Sequence, residues 1–176
     1  SSGLRIIPAS LSSEDVNIYR LKEVLQDQFL EDNIVLVDSP PGLERNAMTI
    51  LRVCPEILIV TTPEIPAITD ALRVVSVCRG TNTKIIGIIV NMYKNREKSQ
   101  VSTKEIESTF GLPVIGFVPD DRNIKRSIFK GMPCVLFNSY SPASIAYKKI
   151  AAHLIGKEYK LPRYFMLKKL FRGLKK

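Results

Sequence analysis

Aliphatic runs alternate with amphipathic segments along most of this 176-residue chain. The aliphatic runs predict β-strands at 4–9, 33–38, 56–63, 84–91 and 113–119. Helical spacing of apolar residues predicts helices at 14–30, 46–53, 67–79, 102–110, 123–129 and 141–155. Such alternation is typical of right-handed strand–helix–strand units. The pattern therefore predicts an α/β fold, with a mostly parallel sheet flanked by helices.

Capping signals support two of these helices. Ser102 and Glu105 have the spacing of a capping box, in which each side chain bonds a backbone N–H group near the helix start. Gly80 follows the helix predicted at 67–79, and glycine is the residue most often found just after a helix.

Polar residues stand at the ends of four predicted strands. They are Asp38, Thr61 to Glu64, Asn91, and Pro119 with Asp120 and Asp121. An unpaired charge is costly to bury, so we expect Asp38 to lie where its strand emerges from the sheet. Open α/β sheets bind ligands at the carboxyl ends of their strands. The series predicts a ligand site at one sheet edge, although helix capping by Asp38 is an alternative reading.

Composition narrows the class of protein. An apolar content of 45% and this length suit one domain with a real core. The sequence contains no apolar run long enough to cross a bilayer and no secretory-type segment at its amino end. Cys54, Cys78 and Cys134 are widely spaced and form no C-x-x-C pair. They are interpreted as core thiols of a protein in a reducing cytosol.

The net charge of +9 is concentrated at the carboxyl end. Residues 157–176 contain eight basic residues and one acidic residue, whereas the rest of the chain is nearly neutral. This distribution argues against a nucleic-acid-binding face spread over the domain. It favours a short terminal segment with its own function.

That segment predicts an amphipathic helix at 163–176, after a linker at 157–162 and a body at 1–156. Its apolar arc and part of its basic arc form the predicted membrane contact, made of Tyr164, Met166, Leu167, Lys168, Lys169, Leu170, Phe171, Arg172 and Leu174. A basic face opposite an apolar face is typical of a helix that lies in a membrane interface. Packing on its own domain and binding of nucleic acid are the alternatives.

Five stretches resemble one known family. They are VLVDSPPGLERNA, IVTTPEIPAITDALR, GIIVNM, GLPVIGFVPDDRNIKRSIFKGMPCV and SPASIAYKKIA. In this order they resemble the MinD/ParA group of deviant Walker-motif ATPases, and within it MinD-type cell-division-site regulators. The resemblance extends from about Gly3 to Ile155. It implies the carboxy-terminal part of a SIMIBI-type P-loop NTPase fold with a terminal amphipathic helix.

The resemblance assigns a metal site and a switch segment. Asp38 matches the Walker B aspartate, which holds Mg²⁺ through its water shell in this family, a mode that suits a small hard cation. Ser39, Pro40, Pro41 and Gly42 match the nucleotide-sensing switch II. The backbone N–H of Gly42 would meet the γ-phosphate.

The resemblance also assigns the base-binding residues. Asn91 matches the asparagine that pairs with the adenine edge, since an amide offers both a donor and an acceptor. Pro119, Asp120 and Asp121 match the loop that frames the adenine and the ribose. The implied cofactors are ATP and Mg²⁺.

One family motif does not occur. The sequence contains no G-x-x-x-x-G-K-S/T stretch or related glycine-rich phosphate loop. We expect the chain to be the carboxy-terminal two thirds, roughly, of a longer ATPase, and to be inactive by itself because nothing neutralises the phosphate charge. A natural stand-alone remnant is the alternative.

The resemblance implies a function as well. It is an ATP-dependent switch that dimerises, associates with an anionic membrane surface on the cytoplasmic side, and engages a regulatory partner protein. A ParA-type DNA- or cargo-partitioning ATPase is one alternative, and a non-enzymatic partner-binding remnant is another. An iron–sulfur carrier of the same superfamily would need a C-x-x-C pair, which the sequence lacks.

Overall fold

The computed structural model describes residues 4–7, 18–25, 34–81, 83–94 and 101–162. The helices and strands of this part are α1 (Ile18–Leu25), α2 (Arg45–Val53), β1 (Glu56–Thr61), α3 (Ile65–Arg79), β2 (Lys84–Tyr93), α4 (Thr103–Phe110), β3 (Val114–Pro119), α5 (Arg122–Phe129), α6 (Cys134–Phe137) and α7 (Pro142–Leu154). The predicted α/β class is confirmed.

The three strands form one parallel sheet in the order β1–β2–β3. β2 and β3 pair with Ile88 opposite Val114 and Ile89 opposite Gly116, so the register shifts between these two positions. Ile88 and Val90 are fully buried. A central strand with buried aliphatic residues is expected in a parallel sheet that helices cover.

The described residues fall into two compact units. The first unit comprises the residues up to Ile57 together with Asp70–Ile85, and the second comprises Leu58–Thr69 together with the residues from Ile86 onward. Each unit has its own packing.

The first unit is built around α2. Ala47, Ile50 and Leu51 are buried, and their spacing of three and four residues places them on one face of the helix. The Leu51 carbonyl accepts a hydrogen bond of 2.8 Å from the Thr83 hydroxyl. The Lys84 amide donates to the Pro55 carbonyl at 2.9 Å. These bonds attach the start of β2 to the end of α2.

The second unit has its core between β3 and α7. Val118, Ala143 and Ile150 form a buried cluster there. Gly116 allows the close approach, because a Cβ atom at this position would lie 2.5 Å from the Cγ1 atom of Ile150. The lack of a side chain at Gly116 therefore allows β3 to pack closely against α7.

Two predicted strands are wrong. Residues 34–38 belong to no strand, and Ile34 and Leu36 are 74% and 86% exposed. Residues 4–7 are likewise in no strand and exposed. An aliphatic segment becomes a parallel strand only where a neighbouring strand supplies hydrogen bonds and helices cover its faces. In the described part of the chain, the sheet ends at β1 and provides no such neighbour to either segment.

Other boundaries differ less. α3 begins at Ile65, two residues before the predicted start, and β2 continues to Tyr93, past the predicted end at Asn91. The short helix α6 follows Pro133 and was not predicted. Of the helix predicted at 14–30, only the part at 18–25 lies within the described residues, and it is helical.

The predicted capping box is confirmed, and so is the helix end predicted before Gly80. The Ser102 hydroxyl accepts from the Glu105 amide at 3.3 Å, and the Glu105 carboxylate accepts from the Ser102 amide at 2.8 Å. The helix α3 ends at Arg79, immediately before Gly80. The amphipathic helix predicted at 163–176 lies outside the described residues. Among the helices of the described part, none has the length and apolar character needed to span a membrane.

Candidate functional site

The carboxyl end of β2 is irregular at Asn91. The pairing with β3 shifts between Val90 and Tyr93, and Met92 has a φ of +55°. This left-handed conformation costs a residue other than glycine roughly 1–2 kcal/mol. The Asn91 side-chain oxygen accepts a hydrogen bond of 3.0 Å from the Met92 amide and so supports the bend. The remaining lone pair and the NH₂ group of this amide can still form hydrogen bonds to a ligand.

An open cleft of about 570 Å³ lies at the carboxyl ends of β2 and β3. Its lining residues are Tyr93, Lys94, Thr103, Phe117, Pro119 and Asp120. The rings of Tyr93 and Phe117 lie 5.0 Å apart between centroids and are inclined at 59°. The Asp120 amide donates to the Tyr93 carbonyl at 3.0 Å and ties the two strand ends together. Aromatic walls and a polar rim suit a planar, partly polar ligand.

The predicted base-binding residues occupy different places around this cleft. Pro119 and Asp120 line it, whereas Asn91 lies two residues before Tyr93 and is not among the lining residues. The residues that sequence reasoning missed are Tyr93 and Phe117. Each lies two residues from a predicted site residue. In a regular strand, side chains two residues apart lie on one face, and this spacing was the signal that could have identified Tyr93 and Phe117.

Asp121 is buried and fully engaged within the protein. One carboxylate oxygen accepts from the amide of Asn123 at 2.9 Å and from its side chain at 2.7 Å. The other oxygen accepts from the Ala143 amide at 3.1 Å, and the carboxylate is also hydrogen-bonded to the Ser141 side chain. Asp121 thus caps α5 and holds the amino end of α7.

These bonds determine the ionisation of Asp121. Burial alone would raise the pKa of the carboxyl, but the hydrogen bonds from Asn123, Ala143 and Ser141 outweigh burial and lower the pKa below its usual value. The fold therefore stabilises the ionised carboxylate of Asp121, whose hydrogen bonds are made to other parts of the protein. In this arrangement Asp121 positions the Pro119–Asp120 loop.

The predicted switch segment belongs to the first unit. Asp38 is exposed, and the turn after it contains Gly42 with a φ of +80°. The Ser39 hydroxyl donates to the Pro40 carbonyl at 3.1 Å. α2 begins directly afterwards, with Glu44 as its N-cap residue. The prediction that Asp38 and Asn91 share one edge of a sheet stays a prediction.

Asp38 fits contact with Mg²⁺ through water. A single exposed carboxylate can accept hydrogen bonds from the ion's water shell, which Mg²⁺ gives up reluctantly. The described residues include no group of three His, Cys, Asp or Glu side chains placed to hold a metal directly. The exposed carboxylate of Asp38 is therefore compatible with an outer-sphere role.

A sequence model described as "ParA: NUBPL iron-transfer P-loop NTPase" matches residues 18–155. The chain belongs to the MinD/ParA family of P-loop NTPases. The match covers the first unit from α1 onward and the second unit up to the residue after α7, so the membership applies to both units.

Individual relatives of this MinD/ParA chain agree with that membership. It is 33% identical to an uncharacterized ATP-binding protein of Methanocaldococcus jannaschii, over 98% of the chain and 67% of the relative. The septum site-determining protein MinD of Pyrococcus horikoshii, solved with Mg-ADP, is 27% identical with a TM-score of 0.70, over 78% of the chain and 56% of that protein. The MinC:MinD complex of Aquifex aeolicus gives 27% identity and a TM-score of 0.72, over 84% and 62%.

The MinD/ParA chain is shorter than these relatives. It spans between about half and two thirds of the length of each one. Activities, substrates and partners of the longer proteins are therefore proposals for this chain.

Proposed function

We propose that this chain is the nucleotide-binding, carboxy-terminal part of a MinD-like, ATP-dependent switch that regulates division-site or cell-pole positioning. The observation that carries the proposal is the cleft at the carboxyl ends of β2 and β3, bordered by two aromatic rings and by Pro119 and Asp120. Parallel α/β sheets bind their ligands at this end of the strands.

The cleft takes the adenine end of ATP. The rings of Tyr93 and Phe117 would supply apolar contact to a planar base. By the family resemblance, the Asn91 amide would bind the base edge through its NH₂ group and the lone pair that Met92 leaves free. Asp121 acts indirectly, since its buried carboxylate holds the loop that carries Pro119 and Asp120.

The phosphate end belongs to the switch segment. Asp38 would hold Mg²⁺ through its water shell, and the backbone N–H of Gly42 would bind the γ-phosphate. Magnesium would neutralise charge that develops on the phosphates. The two prolines before Gly42 restrict the segment to few conformations, which suits an element that responds to one phosphate group.

Membrane association and dimerisation complete the proposed switch. ATP would hold two copies together, and the dimer would place two copies of the 163–176 helix on one anionic surface. Two weak attachments joined in one particle bind far more tightly than one, because the second binding event is intramolecular. The protein would then be cytoplasmic and peripherally attached to the inner face of the cell membrane. The MinC bound to a similar MinD supports a regulatory partner protein for this chain.

ATP turnover tests the chemical part of the proposal. A family-type amino-terminal segment that carries a phosphate loop is joined ahead of residue 1, and ATP hydrolysis is measured with and without Mg²⁺. We expect Mg²⁺-dependent turnover, with background rates for Asp38→Ala and for the 176-residue chain alone.

Asp70→Ala is the matched control, because Asp70 is also exposed and, in the described part of the chain, forms an ion pair with the exposed Arg73. It should keep the parental rate. Full turnover in the Asp38→Ala protein would exclude the assigned metal role, and equal turnover by the chain alone would exclude the need for the loop.

A further inference from the structure

One surface of the second unit exposes four large apolar side chains close together in sequence. Phe129 is 86% exposed, Ile128 72%, Leu136 70% and Met132 45%. Phe129 and Ile128 end α5, Leu136 lies in α6, and Met132 lies in the turn between these helices. We call this region the α5–α6 surface.

The geometry of α5 holds this surface outward. Ser127 is buried and bonds the Ile124 carbonyl at 2.8 Å, so these two residues mark the inner face of the helix. Lys125 and Phe129 lie one turn apart on the outer face. Gly131 has a φ of +60°, and the Met132 amide bonds the Ser127 carbonyl at 3.0 Å, which closes the turn.

The same surface is basic. Four cations and no acidic residue occur between Arg122 and Pro133, and all four cations are exposed, with Lys125, Arg126 and Lys130 nearest to Phe129 along the chain. An aromatic and aliphatic centre bordered by cations complements an anionic, amphipathic partner. The interface of an anionic bilayer has this chemistry, with acyl chains below a layer of negative headgroups.

Nucleic acid fits this surface less well. A phosphate backbone would engage the cations and could stack a base on Phe129. It offers nothing apolar to Ile128, Met132 and Leu136, which would then be left without a partner. The aliphatic residues therefore favour a lipid surface.

The chain after α7 turns back along that helix. α7 ends at Leu154, yet the Tyr159 ring lies 5.8 Å from the Lys148 ammonium, one and a half turns back along the helix. Lys148 also lies 5.5 Å from the Tyr140 ring and donates to the Ser139 carbonyl at 2.9 Å. Ser139 and Tyr140 follow α6 after its C-cap residue, Asn138. The linker thus runs back along α7 to the segment that adjoins α6.

Leu161 and Pro162 are partly buried, so the linker remains in contact with the protein up to its end.

We propose that the α5–α6 surface is a second membrane contact, through which the folded second unit itself binds an anionic bilayer. Phe129 and Ile128 enter the interface, and Lys125, Arg126 and Lys130 bind anionic headgroups. This proposal shares the membrane target of the proposed function, but it requires neither ATP nor a dimer.

Fluorescence tests the proposed insertion directly, because the chain contains no tryptophan. Phe129→Trp in the full chain introduces a single reporter on the surface. Ile65→Trp is the matched control, since Ile65 is 68% exposed at the start of α3. With vesicles of mixed phosphatidylglycerol and phosphatidylcholine, we expect a blue shift and quenching by brominated lipid for Phe129→Trp and no change for Ile65→Trp. Equal responses of the two reporters would overturn the proposal.

Vesicle affinity provides the second readout. In a Leu170→Glu background, which silences the tail, Ile128→Ala with Phe129→Ala should lower affinity for anionic vesicles about tenfold. Ile65→Ala should leave it unchanged, and unaltered thermal unfolding would confirm that the exposed substitutions keep the fold. Unchanged vesicle affinity of the protein with Ile128→Ala and Phe129→Ala would overturn the proposal. So would a protein with Lys125→Ala and Arg126→Ala that loses affinity for an oligonucleotide but keeps its affinity for vesicles. Equally strong vesicle binding in ATP and in ADP, by the chain joined to a phosphate-loop segment, would refute the switch and leave the Phe129 result standing.

Discussion

Residues 34–38 and 114–119 are two largely apolar runs with opposite environments; the first ends in Asp38, and the second is followed by Asp120 and Asp121. Ile34 and Leu36 are exposed and lie in no strand, whereas Val118 is 1% exposed within β3. The second run pairs with β2 and lies against α7. An aliphatic sequence is therefore not sufficient for a buried strand, because a paired neighbouring strand and a covering helix are also required.

The acidic residues that follow these runs differ in the same way. Asp38 is exposed, so its carboxylate is open to water and to the water shell of an ion. Asp121 is buried, and its carboxylate oxygens accept hydrogen bonds from amides at the amino ends of α5 and α7. One region therefore supplies a group for a ligand, and the other supplies a group for the fold.

The largest expected effect on folding separates these two aspartates. Asp121→Ala leaves the amides of Asn123 and Ala143 without their acceptor, and should lower the free energy of unfolding by about 2–4 kcal/mol. Asp38→Ala should change it by less than about 0.5 kcal/mol, because the side chain is exposed. Urea unfolding measures both values. Equal losses in the two variants would contradict the contrast between the regions.

A smaller effect is expected from two glycines. Gly116→Ala forces a Cβ atom against Ile150 and should cost about 1–3 kcal/mol by overpacking the contact between β3 and α7. In Gly42→Ala the new Cβ atom has no neighbour within 4 Å, so the expected cost is that of the positive φ alone, roughly 1 kcal/mol. Thermal unfolding compares the pair. A larger loss at Gly42 would show that the switch turn packs more closely than its exposure indicates.

The smallest expected effect is in the acid range. Hydrogen bonds lower the pKa of Asp121 in the folded state, so its stabilising contribution is complete above the unfolded value of about 3.9 and is lost as the pH falls through the folded pKa. Glu105 acts in the same direction, since its bonds with Ser102 lower its pKa.

Asp121→Asn should therefore flatten part of the decline in unfolding free energy below about pH 4. Parallel pH profiles of wild type and Asp121→Asn would show that the carboxylate is not the titrating group.

Local signals explain what the sequence could predict. The capping box of Ser102 and Glu105, the bounds of α2 and the end of α3 at Gly80 depend on residues within one or two turns of each other. The aliphatic run of β3 also has its neighbour in the described chain. These predictions are confirmed because the physics that they use is local.

The rest depends on partners distant in sequence. The exposure of residues 34–38 depends on which strand adjoins them, which no periodicity reveals. The cleft between Tyr93 and Phe117 follows from the register of β2 against β3, and the bend at Met92 follows from a shift in that register. The sequence placed Asp121 in a predicted ligand loop. Its hydrogen bonds to the amino ends of both α5 and α7 could not be predicted, because α7 is distant from it in sequence.

Nucleotide-dependent binding to vesicles tests the central claim most directly. The chain joined to a family-type phosphate-loop segment is floated with anionic vesicles in ATP with Mg²⁺ and in ADP with Mg²⁺, beside its Asp38→Ala variant. A MinD-like switch predicts strong binding with ATP and weak binding with ADP, with the ATP advantage lost in Asp38→Ala. Equal binding in both nucleotides, or ATP-dependent binding to DNA and not to vesicles, would contradict it.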